Sequence, residues 1–258
     1  MPPMVKRIMI VTVAVFIAQF LFQKTGMVER YFALWPYWAV RHLMLWQFVT
    51  YIFLHDTRTI FHILFNMITL YFFGPEIEQM LGRGRFLFFY LAAGVCAGIA
   101  QCLIPGNAGS NNFVVGASGA IYAVLVAYAL TFPNRTVIFF IFPMKVRTLV
   151  LLLIGVSLYS GLSSSPNGVA HFAHLGGAAF GFAYWKGRPW LESAWSRLSA
   201  WRVSRKKTVD IDEEHDLDRI LEKISQQGMG SLTKSERAFL LRASERRQRQ
   251  KVSHEGHA

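Results

Sequence analysis

Four polar residues lie in the most apolar stretches of this sequence, and their types suit acyl-transfer chemistry. They are Ser118, His174, His62 and Asn66. A serine hydroxyl attacks a carbonyl once a neighbouring base removes its proton, and His174 can act as that base near neutral pH. The tetrahedral intermediate needs oxyanion donors, which the Ser118 amide, the His62 ring and the Asn66 amide could provide. Because no acidic residue lies in the predicted helix turns that carry them, the sequence predicts a Ser–His dyad rather than a triad.

Each of these residues also has a purely structural interpretation. Gly-Ala-Ser-Gly at 116–119 can serve close helix packing, and it is not the G-x-S-x-G turn of soluble hydrolases, because residue 120 is alanine. A histidine or asparagine inside a membrane helix can simply bond a neighbour, although function is the default hypothesis for intramembrane polar groups. Asn and Ser are weak metal ligands, and two histidines without cysteine or carboxylate make a poor zinc site. We therefore expect no metal and no other cofactor.

The distribution of charge separates an apolar body from a charged tail. Of the 258 residues, 53% are hydrophobic. Residues 1–185 carry 11 Lys/Arg and 4 Asp/Glu, whereas residues 186–258 carry 16 and 11. This pattern is typical of a multi-spanning membrane protein and excludes a single soluble domain. The net charge of +12 could suggest nucleic-acid binding, but many basic residues flank predicted spans and no nucleic-acid motif is present, so we expect no nucleic-acid partner.

Long apolar runs predict an all-α membrane protein with six transmembrane helices. The spans are expected at about 8–22, 59–80, 86–104, 114–132, 147–162 and 168–185. A Trp- and Tyr-rich loop, 23–58, is expected to be partly immersed in the outer leaflet. The predicted inner loops are basic, whereas the outer loops 105–113 and 162–169 contain no Lys or Arg, which places both termini in the cytoplasm. The segment 137–143 is too short to cross and is expected along the inner surface.

The chain divides into three predicted segments: a body 1–186, a basic linker 187–211 and a tail 212–258. In the tail, apolar residues recur at helical spacing up to Gly228, and Thr233 with Glu236 matches a capping box for a second helix. We expect a small amphipathic helix pair that either docks beneath the membrane body or binds a cytoplasmic partner. The lack of a targeting segment favours a bacterial inner (plasma) membrane, with an organelle as the alternative.

The predicted topology brings the four polar residues to one depth. The second, fourth and sixth spans all run inward from the outer surface, and the polar residues lie in their first turns, about 5–10 Å below that surface at about 1.5 Å per residue. His174, Gly177 and Gly181 share one helix face, so span six can approach span four there. Gly119 favours the same approach from the other side, which would bring His174 within reach of Ser118.

The sequence resembles the rhomboid intramembrane serine proteases over roughly residues 8–186. The resemblance rests on three motifs: HILFN at 62–66, GASG at 116–119 and AHLGGAAFG at 173–181. It implies a six-helix rhomboid bundle that hydrolyses peptide bonds in transmembrane substrates without a cofactor. It also implies that Ser118 is the nucleophile and His174 the base, with oxyanion roles for His62, Asn66 and the Ser118 amide. Residues with implied supporting roles are Gly116, Gly119, Tyr122, Gly177 and Gly181.

Some details of the resemblance concern neighbouring residues. Tyr122 matches a ring that packs under the histidine, and Gly74 with Glu78 matches a structural pair near the inner end of span two. His171 lies one turn before His174, but the motif register favours His174 as the base. The family's usual Trp-Arg pair in the first loop is Trp46-Gln47 here, which puts the bracing of that loop in question.

Three classes of function follow from these patterns. The leading one is an intramembrane protease whose partners are transmembrane protein substrates and the lipid bilayer. The second is a non-catalytic relative that binds and escorts membrane proteins, but such relatives typically lack the serine or the histidine. A transporter is less well supported, because intramembrane charges are few and no inverted repeat is visible.

Overall fold

The structure of the chain is a computed structural model that describes residues 1–104, 112–139, 141–163, 171–241, 243 and 244. The side chains of 194–214 lie outside this description, as does most of the predicted outer loops 105–113 and 162–169. Two compact units are present, Met1–Arg188 and Pro189–Ala258. The first contains all four polar residues that the sequence singles out.

Helices dominate the described residues, with one small sheet. The α-helices are α1 Pro3–Phe22, α2 Met27–Phe32, α3 Pro36–Arg41, α4 Gln47–Thr50, α5 Ile60–Leu81, α6 Arg83–Cys102, α7 Ser118–Thr131, α8 Val146–Leu162 and α9 His171–Gln227. Strands β1 Thr136–Phe139 and β2 Phe142–Lys145 pair antiparallel, with Thr136 opposite Lys145. The short segment that the sequence places along the inner surface is therefore a β-hairpin.

Three helical segments of the described chain are long and apolar enough to cross a membrane. They are Pro3–Thr25, Ile60–Leu81 and Arg83–Cys102. Two further apolar helices, Ser118–Thr131 and Val146–Leu162, are shorter. The prediction of a mostly helical membrane protein is confirmed at this level.

Helix α7 is the centre of the first unit. Nine of its residues are buried, from Gly119 to Tyr128, and its neighbours include α5, α6 and α8. A helix surrounded by protein does not need to be long enough to reach both lipid headgroup layers by itself. Its 14 residues correspond to about 21 Å at about 1.5 Å per residue.

The start of α7 differs from the prediction. The helix begins at Ser118 rather than near 114, because the preceding backbone bonds to the loop 23–58 instead of to a helix turn. Val114 exchanges two backbone hydrogen bonds with Leu34, at 3.0 and 2.8 Å, and the Gly116 amide donates to the Tyr51 carbonyl at 3.0 Å. Gly116 has φ +128°, a value that other residues rarely adopt. Ser118 is therefore the first residue of the helix.

The end of the sixth predicted span also differs. Helix α9 does not stop near 185 but continues through the segment that the sequence predicts as a linker, 187–211. Residues 188–227 contain no glycine. They include many Arg, Lys, Glu, Leu and Ala residues, which favour helix even where hydropathy falls. The hydropathy change therefore marks the end of the apolar run, not the end of the helix.

The second unit contains the predicted capping box. The Thr233 amide donates to the Glu236 carboxylate at 2.7 Å, and the Glu236 amide donates to the Thr233 hydroxyl at 3.3 Å. Residues 234–241 are helical, and Lys223 near the end of α9 pairs with Glu236 at 3.0 Å. These bonds hold the pKa of Glu236 down to about 2, chiefly through the Thr233 amide.

Candidate active site

Ser118 and His174 are in direct contact. His174 Nε2 lies 2.8 Å from Ser118 Oγ, a hydrogen-bonding distance between a hydroxyl and an imidazole. Ser118 begins α7, and His174 lies in the first turn of α9. His171, the other histidine of that turn, has its ring 6.2 Å from the His174 ring centre and makes an edge contact with it. Of the two histidines, the one adjacent to the serine is His174.

Glycines make this contact possible. A Cβ atom added to Gly177 would lie 1.9 Å from the Gly119 carbonyl oxygen, and one added to Gly181 would lie 2.6 Å from the Ala123 Cα. These distances are shorter than any real Cβ contact, so α9 meets the backbone of α7 directly. A Cβ on Gly119 would lie 2.4 Å from the Ala97 Cβ of α6. Replacing any of these glycines would move the helices that carry the serine and the histidine.

Gly176 is a packing residue that the sequence analysis did not single out. A Cβ there would lie 2.4 Å from the Ala100 Cβ and 3.2 Å from the Cys96 carbonyl oxygen, both in α6. Adjacent glycines at 176 and 177 thus let α9 approach two helices at once. The two consecutive glycines in AHLGGAAFG are the sequence feature that could have indicated contact with two helices.

Tyr122 supports the His174 ring from below. Their ring centres are 4.5 Å apart and the planes differ by 10°, so the two rings stack. The Tyr122 hydroxyl is 3.0 Å from Ser157 Oγ and donates to the Leu153 carbonyl at 3.3 Å. Ser157 Oγ is also 3.5 Å from His174 Nδ1. Ser157 is the buried polar residue of α8, and no sequence motif marks it.

His62 lies against the backbone that precedes Ser118. A Cβ on Gly116 would be 2.8 Å from His62 Nε2 and 3.8 Å from Ser118 Oγ, so glycine at 116 makes room for the ring beside the serine. The Asp56 amide donates to His62 Nδ1 at 3.3 Å. Because Nδ1 accepts this bond, the ring proton of neutral His62 belongs on Nε2. Nε2 points toward Gly116 and can donate a hydrogen bond on that side of the ring.

Asn66 lies one turn beyond His62 on the same face of α5. It is buried, and its Nδ2 donates to the His62 carbonyl at 2.8 Å. An amide nitrogen carries two hydrogens, so a second donor remains for the cavity that Asn66 lines. The side chains of Ser118, His174, His62 and Asn66 all line this one cavity, whose volume is about 1550 Å³.

His55 packs behind His62. Its ring centre is 5.0 Å from that of His62, and its side chain is buried in the loop before α5. Burial lowers the pKa of His55 to about 3, with the neighbouring His62 adding to the effect. His55 therefore stays neutral at physiological pH, and a neutral ring suits a packing role behind His62.

Gln47 braces the loop 23–58 through both ends of its side-chain amide. Its side chain is buried, its Oε1 accepts from the Trp35 amide at 3.1 Å, and its Nε2 lies 3.4 Å from the Tyr31 carbonyl. Trp46 Nε1 donates to the same Tyr31 carbonyl at 3.0 Å. The amide of Gln47 can accept and donate at once, whereas an arginine only donates.

Within the part of the chain that the structure describes, no three His, Cys, Asp or Glu side chains are grouped so that they could hold a metal ion.

Comparison with known proteins identifies the class to which this fold and site belong. The Rhomboid domain model matches residues 42–187, more than half of the chain, so the protein belongs to the rhomboid family. This confirms the resemblance seen in the motifs. A second model, a family of unknown function called DUF6576, matches residues 203–251.

Two relatives illustrate the match. The chain is 36% identical over 138 residues to RHOMBOID-like protein 4 of Arabidopsis thaliana, covering 53% of this chain and 32% of that protein. It is 31% identical over 124 residues to the rhomboid protease GlpG of Yersinia pestis (strain Pestoides F), covering 48% of this chain and 41% of that protein. The chain thus aligns with less than half the length of each relative.

Proposed function

We propose that this protein is an intramembrane serine protease that hydrolyses peptide bonds in or near transmembrane segments of membrane-protein substrates. The observation that carries the proposal is the 2.8 Å contact between His174 Nε2 and Ser118 Oγ. The relationship to a rhomboid named as a protease supports the reaction class. In the first step Ser118 Oγ attacks the scissile carbonyl carbon while His174 Nε2 takes the hydroxyl proton. The protonated His174 then gives that proton to the leaving amine, which leaves an acyl group on Ser118.

The second half of the reaction uses the same groups. His174 removes a proton from water, the resulting hydroxide attacks the acyl carbon, and the Ser118 oxygen recovers its proton as the acid product leaves. The negative oxygen formed in both halves is held by the His62 Nε2 hydrogen, by the free hydrogen of the Asn66 amide and by the Ser118 amide. The Ser118 amide is at the first position of α7, where helix amides have no partner within the helix and the helix dipole favours negative charge.

The cavity supplies a route for a transmembrane substrate. The residues that line it include Phe65 and Phe72 of α5, Leu149 and Leu153 of α8, and Ser118. Apolar side chains of this kind suit a substrate helix that arrives from the lipid. We infer that the substrate enters between α5 and α8.

The topology belongs to the same proposal. We infer six membrane spans with both termini in the cytoplasm, in a bacterial inner membrane, and with the dyad near the outer surface. The body comprises residues 1–186, and the tail 212–258 either docks beneath the body or binds a cytoplasmic partner. Residues 187–211 connect the two. Cysteine-accessibility labelling at the termini of intact cells tests this arrangement: labelling from outside would contradict it.

The test of the proposed function is cleavage of a single-span model substrate by purified protein in liposomes. Ser118→Ala and His174→Ala should each abolish cleavage while cooperative unfolding is retained. His171→Ala is the matched control, since it removes the other histidine of the same helix turn, and it should leave cleavage largely intact. A serine-directed fluorophosphonate probe should label wild type and not Ser118→Ala. Wild type that is folded but neither cleaves nor takes the probe would favour binding without catalysis.

A further inference from the structure

Ser157 is a buried polar residue on a helix that is otherwise almost entirely apolar. Helix α8 reads VRTLVLLLIGVSLYSGL, and only 2% of Ser157 is exposed. A polar group within a membrane helix needs a partner, and such residues usually serve function. The partners of Ser157 are the Tyr122 hydroxyl at 3.0 Å and His174 Nδ1 at 3.5 Å. It therefore lies on the side of the imidazole opposite to Ser118.

The bond from the Tyr122 hydroxyl to the Leu153 carbonyl sets a direction for the hydrogen bonds around Ser157. The Tyr122 hydroxyl has a single hydrogen, and the geometry places it on the Leu153 carbonyl at 3.3 Å. Tyr122 must then accept from Ser157, which uses the single hydrogen of the Ser157 hydroxyl. Ser157 Oγ is left as an acceptor toward His174, so the proton of the neutral imidazole belongs on Nδ1. The chain of bonds ends at a backbone carbonyl, and every donor in it has an acceptor.

This direction fixes the tautomer that a general base requires. With the proton on Nδ1, the Nε2 atom of His174 has a free lone pair, and it is Nε2 that lies 2.8 Å from Ser118 Oγ. The opposite tautomer would place a hydrogen on Nε2 and leave Ser118 without a base. In a triad, a carboxylate sets this tautomer. Here no carboxylate is in contact with His174 among the described residues.

We propose that Ser157 is the positioning residue of the site: together with Tyr122 it holds His174 in the Nδ1–H tautomer that activates Ser118. This proposal rests on the proposed function and deepens it, since it names the group that orients the base. Ser157 does not touch the substrate or the reacting atoms. It acts when the neutral base must accept a proton, and again when the charged imidazole needs an acceptor for its Nδ1–H.

Helix packing alone would give Ser157 a different signature. A small residue that only lets α8 approach α7 can be replaced by alanine at no cost, because alanine is smaller still. A positioning residue cannot, since alanine removes the acceptor and leaves the Nδ1–H without a partner. The variant Ser157→Ala therefore distinguishes the packing role from the positioning role. Ser157→Thr keeps the hydroxyl and should restore most of the function.

Two measurements test the proposal on purified full-length protein. In liposomes with a single-span model substrate, Ser157→Ala should lower kcat about tenfold, the worth of one charge-assisted hydrogen bond, and leave KM within about twofold. Ser160→Ala, one turn further along α8, is the matched control and should leave kcat unchanged. In ¹⁵N-histidine spectra, the His174 signals, assigned by their loss in His174→Ala, should report Nδ1–H in wild type. They should shift toward Nε2–H in Ser157→Ala and return in Ser157→Thr.

The outcomes separate cleanly. Full turnover in Ser157→Ala, or an unchanged His174 tautomer in that variant, would overturn the proposal. If Ser157→Ala does not fold, Ser157→Cys keeps the side-chain size with a much weaker acceptor, and the same two readouts decide. If wild type cleaves nothing, the proposed function fails, yet the ¹⁵N spectra still establish whether Ser157 orients His174.

Discussion

Gly177 and Gly119 bring the backbones of α9 and α7 into contact, and this contact sets the distance between His174 and Ser118. His174 and Ser118 are 56 positions apart in sequence, yet His174 Nε2 and Ser118 Oγ are separated by 2.8 Å. A Cβ at Gly177 would lie 1.9 Å from the Gly119 carbonyl oxygen. The contact between His174 and Ser118 thus depends on the absence of a side chain at Gly177, one turn beyond His174.

The first prediction concerns this contact. Gly177→Ala should force α9 away from α7 and lower kcat/KM by at least about 100-fold, because a misplacement of about 1 Å in a catalytic pair has that effect. The free energy of unfolding should fall as well, by about 1–3 kcal/mol for an overpacked core site. Cleavage of a model substrate and unfolding in detergent measure both.

Gly187→Ala is the matched control for this prediction. Gly187 lies on the same helix, and a Cβ there would meet nothing within 4 Å. Alanine in an open helical position should leave cleavage unchanged and stabilise the helix slightly. Equal losses in both variants would show that the α7–α9 contact does not control the site.

The second prediction concerns the oxyanion donors. His62→Ala and Asn66→Ala should each lower kcat by about 10²- to 10³-fold, because each removes one donor to the developing charge. KM should change little, since the neutral substrate carbonyl gains less from these donors than the transition state does. Steady-state kinetics in liposomes provide the measurement. A rise in KM with kcat intact would instead assign these residues to substrate binding.

The third prediction concerns the start of α1. Glu78 of α5 is buried and accepts from the Met4 and Val5 amides at 2.9 and 2.7 Å, so it caps the first turn of α1. Glu78→Ala leaves two amides without their acceptor and should lower the free energy of unfolding by about 2–4 kcal/mol. Glu76→Ala, which removes a carboxylate paired with Arg135 at a half-exposed site, should cost less than about 1 kcal/mol. Comparable losses in the two variants would contradict the capping role.

The contact between Ser118 and His174 could be predicted from the sequence because both residues lie in short motifs with glycines at fixed spacing. His174, Gly177 and Gly181 follow helical spacing whatever the rest of the fold, so one helix face could be assigned from the sequence alone. Family membership then follows from three such motifs in order along the chain. The start of α7 could not be predicted in the same way, since an apolar residue such as Val114 suits a helix and a backbone pairing with a loop equally well.

Ser157 was hidden for a different reason. Helix α8 carries Ser157 and Ser160 in the same apolar run, and hydropathy does not indicate which of them faces His174. That depends on the rotation of α8 against α7, which is set by packing between helices and not by any local pattern. The continuation of α9 through 187–211 was hidden because charge ended the apolar run, whereas helix propensity continued.

The last prediction concerns pH and His55. Its pKa falls from an ordinary 6.5 to about 3 in the folded protein, because the ring is buried beside His62. The folded state therefore keeps His55 neutral where the unfolded chain takes up a proton. This stability is fully present above pH 6.5 and is lost progressively as the pH falls toward 3. From pH 7.5 to pH 5 the loss should be about 2 kcal/mol, measured by unfolding in detergent.

The variant His55→Phe isolates this contribution. The backbone of His55 is held by the Gln19 side chain at 2.9 and 3.1 Å, bonds that the substitution keeps, so the loop should remain in place. His55→Phe should remove about 2 kcal/mol of the difference in stability between the two pH values. His42→Phe, at an exposed position of the same loop, should leave that difference unchanged. If wild type and His55→Phe lose stability equally on acidification, the acid sensitivity arises elsewhere, and burial of the His55 ring is not what couples folding to pH.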